Sequence, residues 1–186
     1  ESFKNGGIEP RVLILDDGWQ SVGPQLPHSA PRLTGFAANA KFPGDLAPTV
    51  RMAKGEFAVD HFLVWHAFQG YWGGVDPASF PTYEVRQTAR HFGEGLRRHW
   101  PEANEKWWGS VSGVVPTRHI YSFYQAYHRH LRGQGVDGVK VDNQSTTEGL
   151  AATEGGRVRM MRKYHEALEG SVHTHFGGEL INCMSC

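Results

Sequence analysis

Gly138-Val139-Lys140-Val141-Asp142 is an apolar run that ends in a lysine and an aspartate two positions apart. On a β-strand, residues i and i+2 project to the same face, so Lys140 and Asp142 are expected to emerge together near the strand's C-terminal end. A carboxylate beside an ammonium stays ionised. Asp142 is therefore a candidate nucleophile. Nucleophilic attack by an aspartate at a strand end is the logic of retaining glycosidases, in which one carboxylate attacks the anomeric carbon and a second carboxyl protonates the leaving oxygen. Those two groups should stand about 5–5.5 Å apart.

Three other β-rich runs also end in groups that can bind or react. Arg11-Val-Leu-Ile-Leu15 leads to Asp16, Asp17 and Trp19. His61-Phe-Leu-Val-Trp65 ends in Trp65 and His66, and Glu179-Leu-Ile-Asn-Cys183 ends in Cys183. Helical stretches between such runs are the pattern of a parallel α/β sheet, and a parallel barrel brings all its strand C-termini to one face. Carboxylates that accept paired hydroxyl hydrogen bonds, with indole rings to cover the apolar face of a pyranose, suit a sugar better than a nucleotide. Asp16-Asp17 can also be read as a solvated turn, since Asp-Gly marks loops. Two adjacent carboxylates with no histidine nearby make a poor closed metal site. Core packing is the alternative account of Trp65 and Trp72, but the Gly70-Tyr-Trp-Gly-Gly74 setting leaves those rings little local cover.

Helices are expected at 46–54, ended by Gly55, and at 118–132, with Thr117 as N-cap and Gly133 as stop. Ile120, Phe123, Tyr124, Tyr127 and Leu131 recur there at helical spacing. A third is expected over 157–168, with Val158, Met161, Ala167 and Leu168 facing inward, and a fourth over 83–100, weakened by Gly93 and Gly95. The stretch 22–44 is rich in Pro, Gly and Ala and reads as one long loop. Further long connections, 70–82 and 102–116, follow the second strand. Asp137 stands at the strand's other end and reads as a turn residue.

Composition excludes several classes. Of 186 residues, 19 are basic and 19 acidic, with no basic cluster, so neither nucleic acid nor an anionic membrane is an expected partner. No apolar run approaches the ~18 residues of a membrane span, and no signal peptide is visible. Hydrophobic content of 39% with 12% aromatics suffices for a sizeable core. The two cysteines, Cys183 and Cys186, have redox or half-zinc spacing, yet no second pair accompanies them. His173 with His175, and His128 with His130, look like metal-ligand pairs, yet the second pair sits on an expected helix, where i and i+2 diverge; surface histidines are the expected account. No cofactor or metal is expected.

Taken together, Leu15-Asp-Asp-Gly-Trp-Gln20, Val64-Trp-His-Ala67 with Gly70-Tyr-Trp-Gly-Gly-Val75, Gly135-Val-Asp-Gly-Val-Lys-Val-Asp142, Gly155-Gly-Arg-Val158 and Asn182-Cys-Met-Ser185 resemble the raffinose synthase and seed imbibition protein group, the alkaline α-galactosidase branch of glycoside hydrolase family 36. The resemblance implies an α/β fold, a partial (β/α)8 TIM barrel of about four consecutive strand-helix units, with the chain a catalytic-domain fragment truncated at both ends. It implies that Asp142 is the nucleophile of a β-galactosyl-enzyme intermediate and that Lys140 binds the sugar and supports that carboxylate. Asp16 and Asp17 would bind hydroxyls on the far side of the sugar, Trp65 would line the pocket, and Cys183 would contact the ring. The general acid/base is expected on the strand after Cys183; Glu148, Glu154 and Glu179 fit that role poorly, so the fragment alone is expected to be inactive. The implied substrate is a galactoside oligosaccharide, with water slightly preferred over a sugar such as sucrose as acceptor and a non-catalytic sugar-binding barrel as the further alternative. A cytoplasmic location is expected, and oligomeric state is left open.

Overall fold

The computed structural model describes residues 5–102 and 109–185; Cys186 and part of the 102–116 connection lie outside them. Four strands form a parallel sheet in the order in which they occur along the chain: β1 (Val12–Leu15), β4 (His61–Ala67), β7 (Gly138–Asp142) and β8 (Leu180–Asn182). Each crossover carries a helix, namely α1 (Ala47–Phe57), α3 (Ile120–Gly133) and α5 (Arg157–Phe176). The repeating strand–helix–strand order expected from sequence is therefore present, and the four expected strands fall within two residues of their places.

Register decides what the sheet can do. β1 pairs Leu15 with Val64, β4 pairs Val64 with Val139 and Trp65 with Lys140, and β7 pairs Val139 with Leu180 and Lys140 with Ile181. Neighbours in register share a face. Phe62, Val64, His66, Val139 and Val141 occupy the helix-covered face and are fully or almost fully buried. Trp65, Lys140 and Asp142 take the other face. At the two edges, β1 and β8, apolar side chains remain exposed: Val12 is 53% accessible and Ile181 38%.

The helices follow their apolar stripes. On α3, Ile120, Phe123, Tyr124, Tyr127 and Leu131 are buried as their spacing predicts, and His128 is buried with them. The helix starts after His119 rather than Thr117 and runs through Gly133; the reversal falls at Gly135, whose φ is +87°. α1 likewise passes Gly55 and stops at Ala58, which takes the left-handed conformation at φ 55°. α5 is two turns longer than expected, because Ser171, Val172 and Phe176 prolong the buried face beyond Gly170 before Gly177 ends it. Val158 does not face inward: it is 79% exposed, on the solvent side of the first turn.

Two segments differ more from expectation. The 22–44 stretch holds an antiparallel hairpin, β2 (Gln20–Val22) with β3 (Leu33–Ala38). The 83–100 region is not a long helix. Pro81–Tyr83 forms a 3-10 turn, β5 (Arg86–Ala89) pairs antiparallel with β6 (Val111–Val114), and only α2 (Glu94–His99) is helical. Gly93, in extended conformation, is the N-cap at which the short helix begins, while Gly95 is accommodated inside it. Buried Arg90 ties this hairpin down: Nε donates to the Gly109 carbonyl (3.3 Å), Nη2 to Ser112 Oγ (3.1 Å) and Nη1 to the Thr146 carbonyl. Thr146 lies in α4 (Gln144–Thr147), directly after β7, so the hairpin is fastened to the segment that follows Asp142. Burial brings the Arg90 guanidinium down to about 10.

Asp137 accepts a hydrogen bond from the Phe62 N–H (2.8 Å) and pairs with Lys54 (2.6 Å), at the end of the sheet opposite Asp142. It is a joint between α1, β4 and β7. His173 and His175 lie at that same far end, beside His61, Arg132 and Glu179, and His175 is hydrogen-bonded to Gln125 (2.7 Å). Among the described residues no group of three or more His, Cys, Asp or Glu side chains is arranged to hold a metal ion, and no helix is long and apolar enough to cross a membrane.

Candidate active site

Pairing of Trp65 with Lys140 puts an indole and an ammonium side by side, and Asp142 stands one pleat further along, opposite Ala67. Asp16 follows Leu15, which is level with Val64, so it arrives beside Trp65 from the next strand. Cys183 follows β8 and donates its backbone N–H to the Val141 carbonyl (2.8 Å). The C-terminal ends of four parallel strands thus bring Asp16, Trp65, Lys140, Asp142 and Cys183 to one region, as the sequence pattern predicts. Asp17, from the turn after β1, joins them through the loop that follows β4.

The bonding within this group differs from expectation in one respect. Lys140 Nζ makes its ion pair with Asp16 Oδ2 at 2.6 Å rather than with Asp142, its neighbour two residues on. Side chains standing together on one strand face reach outward, and the long lysine chain crosses to the carboxylate of β1. Burial alone would raise the Asp16 carboxyl, but the Lys140 hydrogen bond, the Asp17 N–H on Oδ1 (2.9 Å) and the Lys140 charge outweigh it and hold the group low. Lys140 is correspondingly raised, first by its bond to Asp16 against desolvation, then by the charges of the Asp16 and Asp142 carboxylates.

Asp142 is fixed by other donors. Trp65 Nε1 donates to Oδ2 (3.1 Å) and the Asn143 N–H to Oδ1 (2.6 Å). Asn143 makes the second contact because it sits in the left-handed region, φ 59°, which asparagine tolerates better than most residues. The Cys183 thiol is hydrogen-bonded to Asp142, and burial followed by that carboxylate raises its pKa despite Lys140. It is held as a neutral thiol. Trp65 is itself locked, since its carbonyl accepts Trp19 Nε1 (2.8 Å) and its ring meets Tyr71 edge-on and Trp72 at 5.1 Å.

Sequence reasoning left Tyr71 and Trp72 out of the binding set. Trp72 Nε1 donates to Asp17 Oδ2 (2.7 Å), and the Tyr71 hydroxyl also bonds Asp17. The signal was the glycine-flanked pair itself: a Cβ on Gly73 would stand 2.0 Å from the Ala30 carbonyl oxygen, and one on Gly74 2.0 Å from that of Gly113. Backbone packed this closely fixes where the two aromatic rings go. Asn143 was missed as well, because its contribution is a backbone N–H and a positive φ. The other acidic candidates lie elsewhere: Glu148 pairs with Arg157, Glu154 accepts the Thr117 N–H (2.7 Å), and Glu179 faces His61 at the far end of the sheet.

The family model described as raffinose synthase or seed imbibition protein Sip1 matches residues 1–186. The chain belongs to this family. It is 35% identical over its whole length to a probable galactinol–sucrose galactosyltransferase 1 of Arabidopsis thaliana, and 33% identical over 94% of its length to a galactinol–sucrose galactosyltransferase of Oryza sativa subsp. japonica. It spans 28% and 25% of those two proteins. Among solved structures, an α-galactosidase from Thermus thermophilus in complex with stachyose aligns with 93% of the chain and 33% of its own length at a TM-score of 0.54 and 17% identity. An α-N-acetylgalactosaminidase from Bifidobacterium bifidum aligns with 97% of this chain and 27% of its own, at 0.53 and 14%. These likenesses concern the fold, and with the parallel sheet they make this family member an α/β protein of partial (β/α)8 barrel architecture.

For such a family member the site's chemistry follows from its donors and acceptors. Asp16 and Asp17 are exposed carboxylates whose remaining lone pairs can accept hydroxyl protons, and Lys140 can donate. Trp65, Tyr71 and Trp72 form one apolar wall beside them. Asp142 is nearly buried, 9% accessible, with both oxygens already oriented. It differs in this from Asp16 and Asp17, whose side chains are exposed.

Proposed function

We propose that this chain is part of the catalytic barrel of an enzyme that moves an α-galactosyl group from an α-galactoside donor to a sugar hydroxyl by double displacement at Asp142. One carboxylate oxygen of Asp142 attacks the anomeric carbon and the glycosidic C–O bond breaks. The departing oxygen takes a proton from a general acid, a carboxyl expected on a strand following β8. An acceptor hydroxyl then attacks the same carbon, losing its proton to that same group now acting as base, and the bond to Asp142 breaks. Two inversions give net retention. The N–H groups of Trp65 and Asn143 stabilise Asp142 as a carboxylate when it leaves in the second step. Asp16, Asp17 and Lys140 bind sugar hydroxyls, Trp65 lines the apolar side, and Cys183 touches the ring.

The observation that carries this reading is the fixing of Asp142 by Trp65 and Asn143 on the same sheet face as the Asp16–Lys140 pair. A carboxylate held by two donors beside binding carboxylates suits a nucleophile better than a structural ion pair. Sequence alone slightly favours water as acceptor. The galactosyltransferase names of the curated relatives move the preference to a sugar, with sucrose as acceptor and galactinol as donor.

The test is product analysis of the full-length protein supplied with galactinol and sucrose. Raffinose is the expected product. Free galactose without raffinose would replace transfer by hydrolysis at the same nucleophile, and binding of galactosides without turnover would reduce the site to a sugar-binding barrel.

A further inference from the structure

Asp17 is an exposed carboxylate in a turn, a position in which a side chain ordinarily wanders among rotamers. Here it is clamped. Trp72 Nε1 donates to its Oδ2 at 2.7 Å and Tyr71 supplies a hydroxyl bond, while burial, then the Asp17 bond and charge, keep the Tyr71 phenol protonated and therefore a donor. The clamp is built into the backbone. Gly73 donates its N–H to the Pro31 carbonyl (2.9 Å), Gly74 accepts from Leu33 N (2.9 Å), and neither glycine has room for a Cβ.

The same loop is joined to the nucleophile by two routes. In the first, Trp72 packs on Trp65 at 5.1 Å, and Trp65 Nε1 holds Asp142 Oδ2. In the second, the Trp72 carbonyl accepts Gln69 Nε2 (3.2 Å), and the single hydroxyl proton of Thr147 is shared between Gln69 Oε1 (2.8 Å) and the Asn143 carbonyl (2.9 Å), in the residue whose N–H bonds Asp142. Gln69 is buried, and Thr147 and Asn143 lie almost wholly out of solvent. Buried polar chains of this kind fix relative positions, since each broken link leaves an unpaired group.

We propose that Trp72, assisted by Tyr71, is a positioning residue that sets the distance between the hydroxyl-binding carboxylate of Asp17 and the attacking carboxylate of Asp142. This rests on the galactoside reading of the site above. Donation to Oδ2 immobilises one oxygen of Asp17 and aims the remaining lone pairs at a single sugar hydroxyl, so the rigid loop acts as a ruler for the sugar's orientation over Asp142. The ligand class it measures is a hexopyranoside with a hydroxyl on the Asp17 side.

The experiment uses the full-length protein, a series of monodeoxy aryl α-galactosides, and the variants Trp72→Phe, Asp17→Asn and their combination. Phenylalanine keeps an aromatic ring and removes the N–H. Trp72→Phe is expected to lower kcat/KM by about tenfold, and the double variant to be no worse than Asp17→Asn alone. With the one deoxy substrate whose missing hydroxyl is read by Asp17, the Trp72→Phe penalty should vanish. Equal penalties on all substrates, additive effects in the double variant, or an unchanged kcat/KM would each overturn the proposal. If Trp72→Phe does not fold, Tyr71→Phe supplies the same cycle from the other donor. Asp142→Asn separates this from the underlying reading: its retention of activity would remove the galactosyl-enzyme itself, whereas a dead Asp142→Asn with an unaffected Trp72→Phe would remove only the clamp.

Discussion

The two faces of the main sheet carry polar networks of opposite design on adjacent residues of the same strands. Trp65 and His66 are neighbours on β4, and so are Asp142 and Val141 on β7. On one face Trp65 meets Asp142, and Lys140 meets Asp16, in a charged group open to solvent on the Asp16 side, where that side chain is 57% exposed. On the other, His66 of β4, His128 of α3 and Ser171 of α5 are fully buried where the helices cover the sheet. The Ala67 carbonyl can only accept, so His66 Nδ1 donates to it (2.9 Å) and His66 Nε2 accepts from His128 Nε2 (3.2 Å); His128 Nδ1 then accepts from Ser171 (2.9 Å). One tautomer of each ring satisfies the whole chain, and both histidines are neutral. One-residue alternation therefore separates a face built for charge and exchange from one built for neutrality and closure.

The largest effect should come from breaking the open face at its centre. Asp142→Asn in the full-length protein is expected to lower turnover of an aryl α-galactoside about a thousandfold or more. Its thermal unfolding should move little, by about 1 kcal/mol, because the amide keeps an acceptor for one of the two donors. Steady-state rates and a melting curve on the same sample check both halves. Activity within about tenfold of the wild type would end the nucleophile assignment.

The closed face makes the opposite prediction, loss of stability with acid. Burial brings His66 down to about 4 against the bond to Ala67, and burial, then His66 and His175, push His128 well below its usual range. Groups whose folded pKa lies below the unfolded value of about 6.5 leave the unfolded chain holding more protons as pH falls. Stability is thus intact above pH 6.5 and declines toward pH 4, by on the order of 3 kcal/mol from His66 alone. Urea unfolding across that range measures it. His66→Gln, which keeps a donor and an acceptor without a titrating ring, should reduce the slope by the His66 share; an unchanged slope would show that His66 is not responsible.

The same contrast explains what was legible in the sequence. Strand ends and their chemistry were readable because apolar β-rich runs give way to Asp16, Asp142 and Cys183, and a two-residue period fixes which side chains share a face. His128 was read as a surface residue, since a histidine beside Arg129 and His130 on a helix looks solvated. Its burial depends on partners from β4 and α5 that local spacing does not reveal. β5 was read as helix and β6 as part of a long connection, because Arg86-Gln-Thr-Ala89 has little strand character alone. Pairing with Val111–Val114 and the buried Arg90 staple make it a strand. Lys140 was assigned to Asp142, its neighbour in sequence, whereas the nearer acid in space came from another strand.

The smallest effect comes from a residue on neither face. Val158 opens α5 in the solvent, 79% exposed, although its apolar character made it an expected core residue. The first turn of α5 contains no acidic side chain, and Arg162 lies one turn further on. Val158→Glu places a carboxylate near the helix N-terminus and four residues before an arginine, both favourable orientations. The expected result is a gain of about 0.3–1 kcal/mol in chemical denaturation with unchanged activity. Val172, on the same helix but 2% exposed, is the control: a glutamate there buries a charge against the core and should be strongly destabilising. If Val158→Glu proved as damaging as Val172→Glu, the first turn of α5 would be covered by a surface packed onto it, and the division of α5 into a core-facing stripe and a solvent-facing one would have to be redrawn.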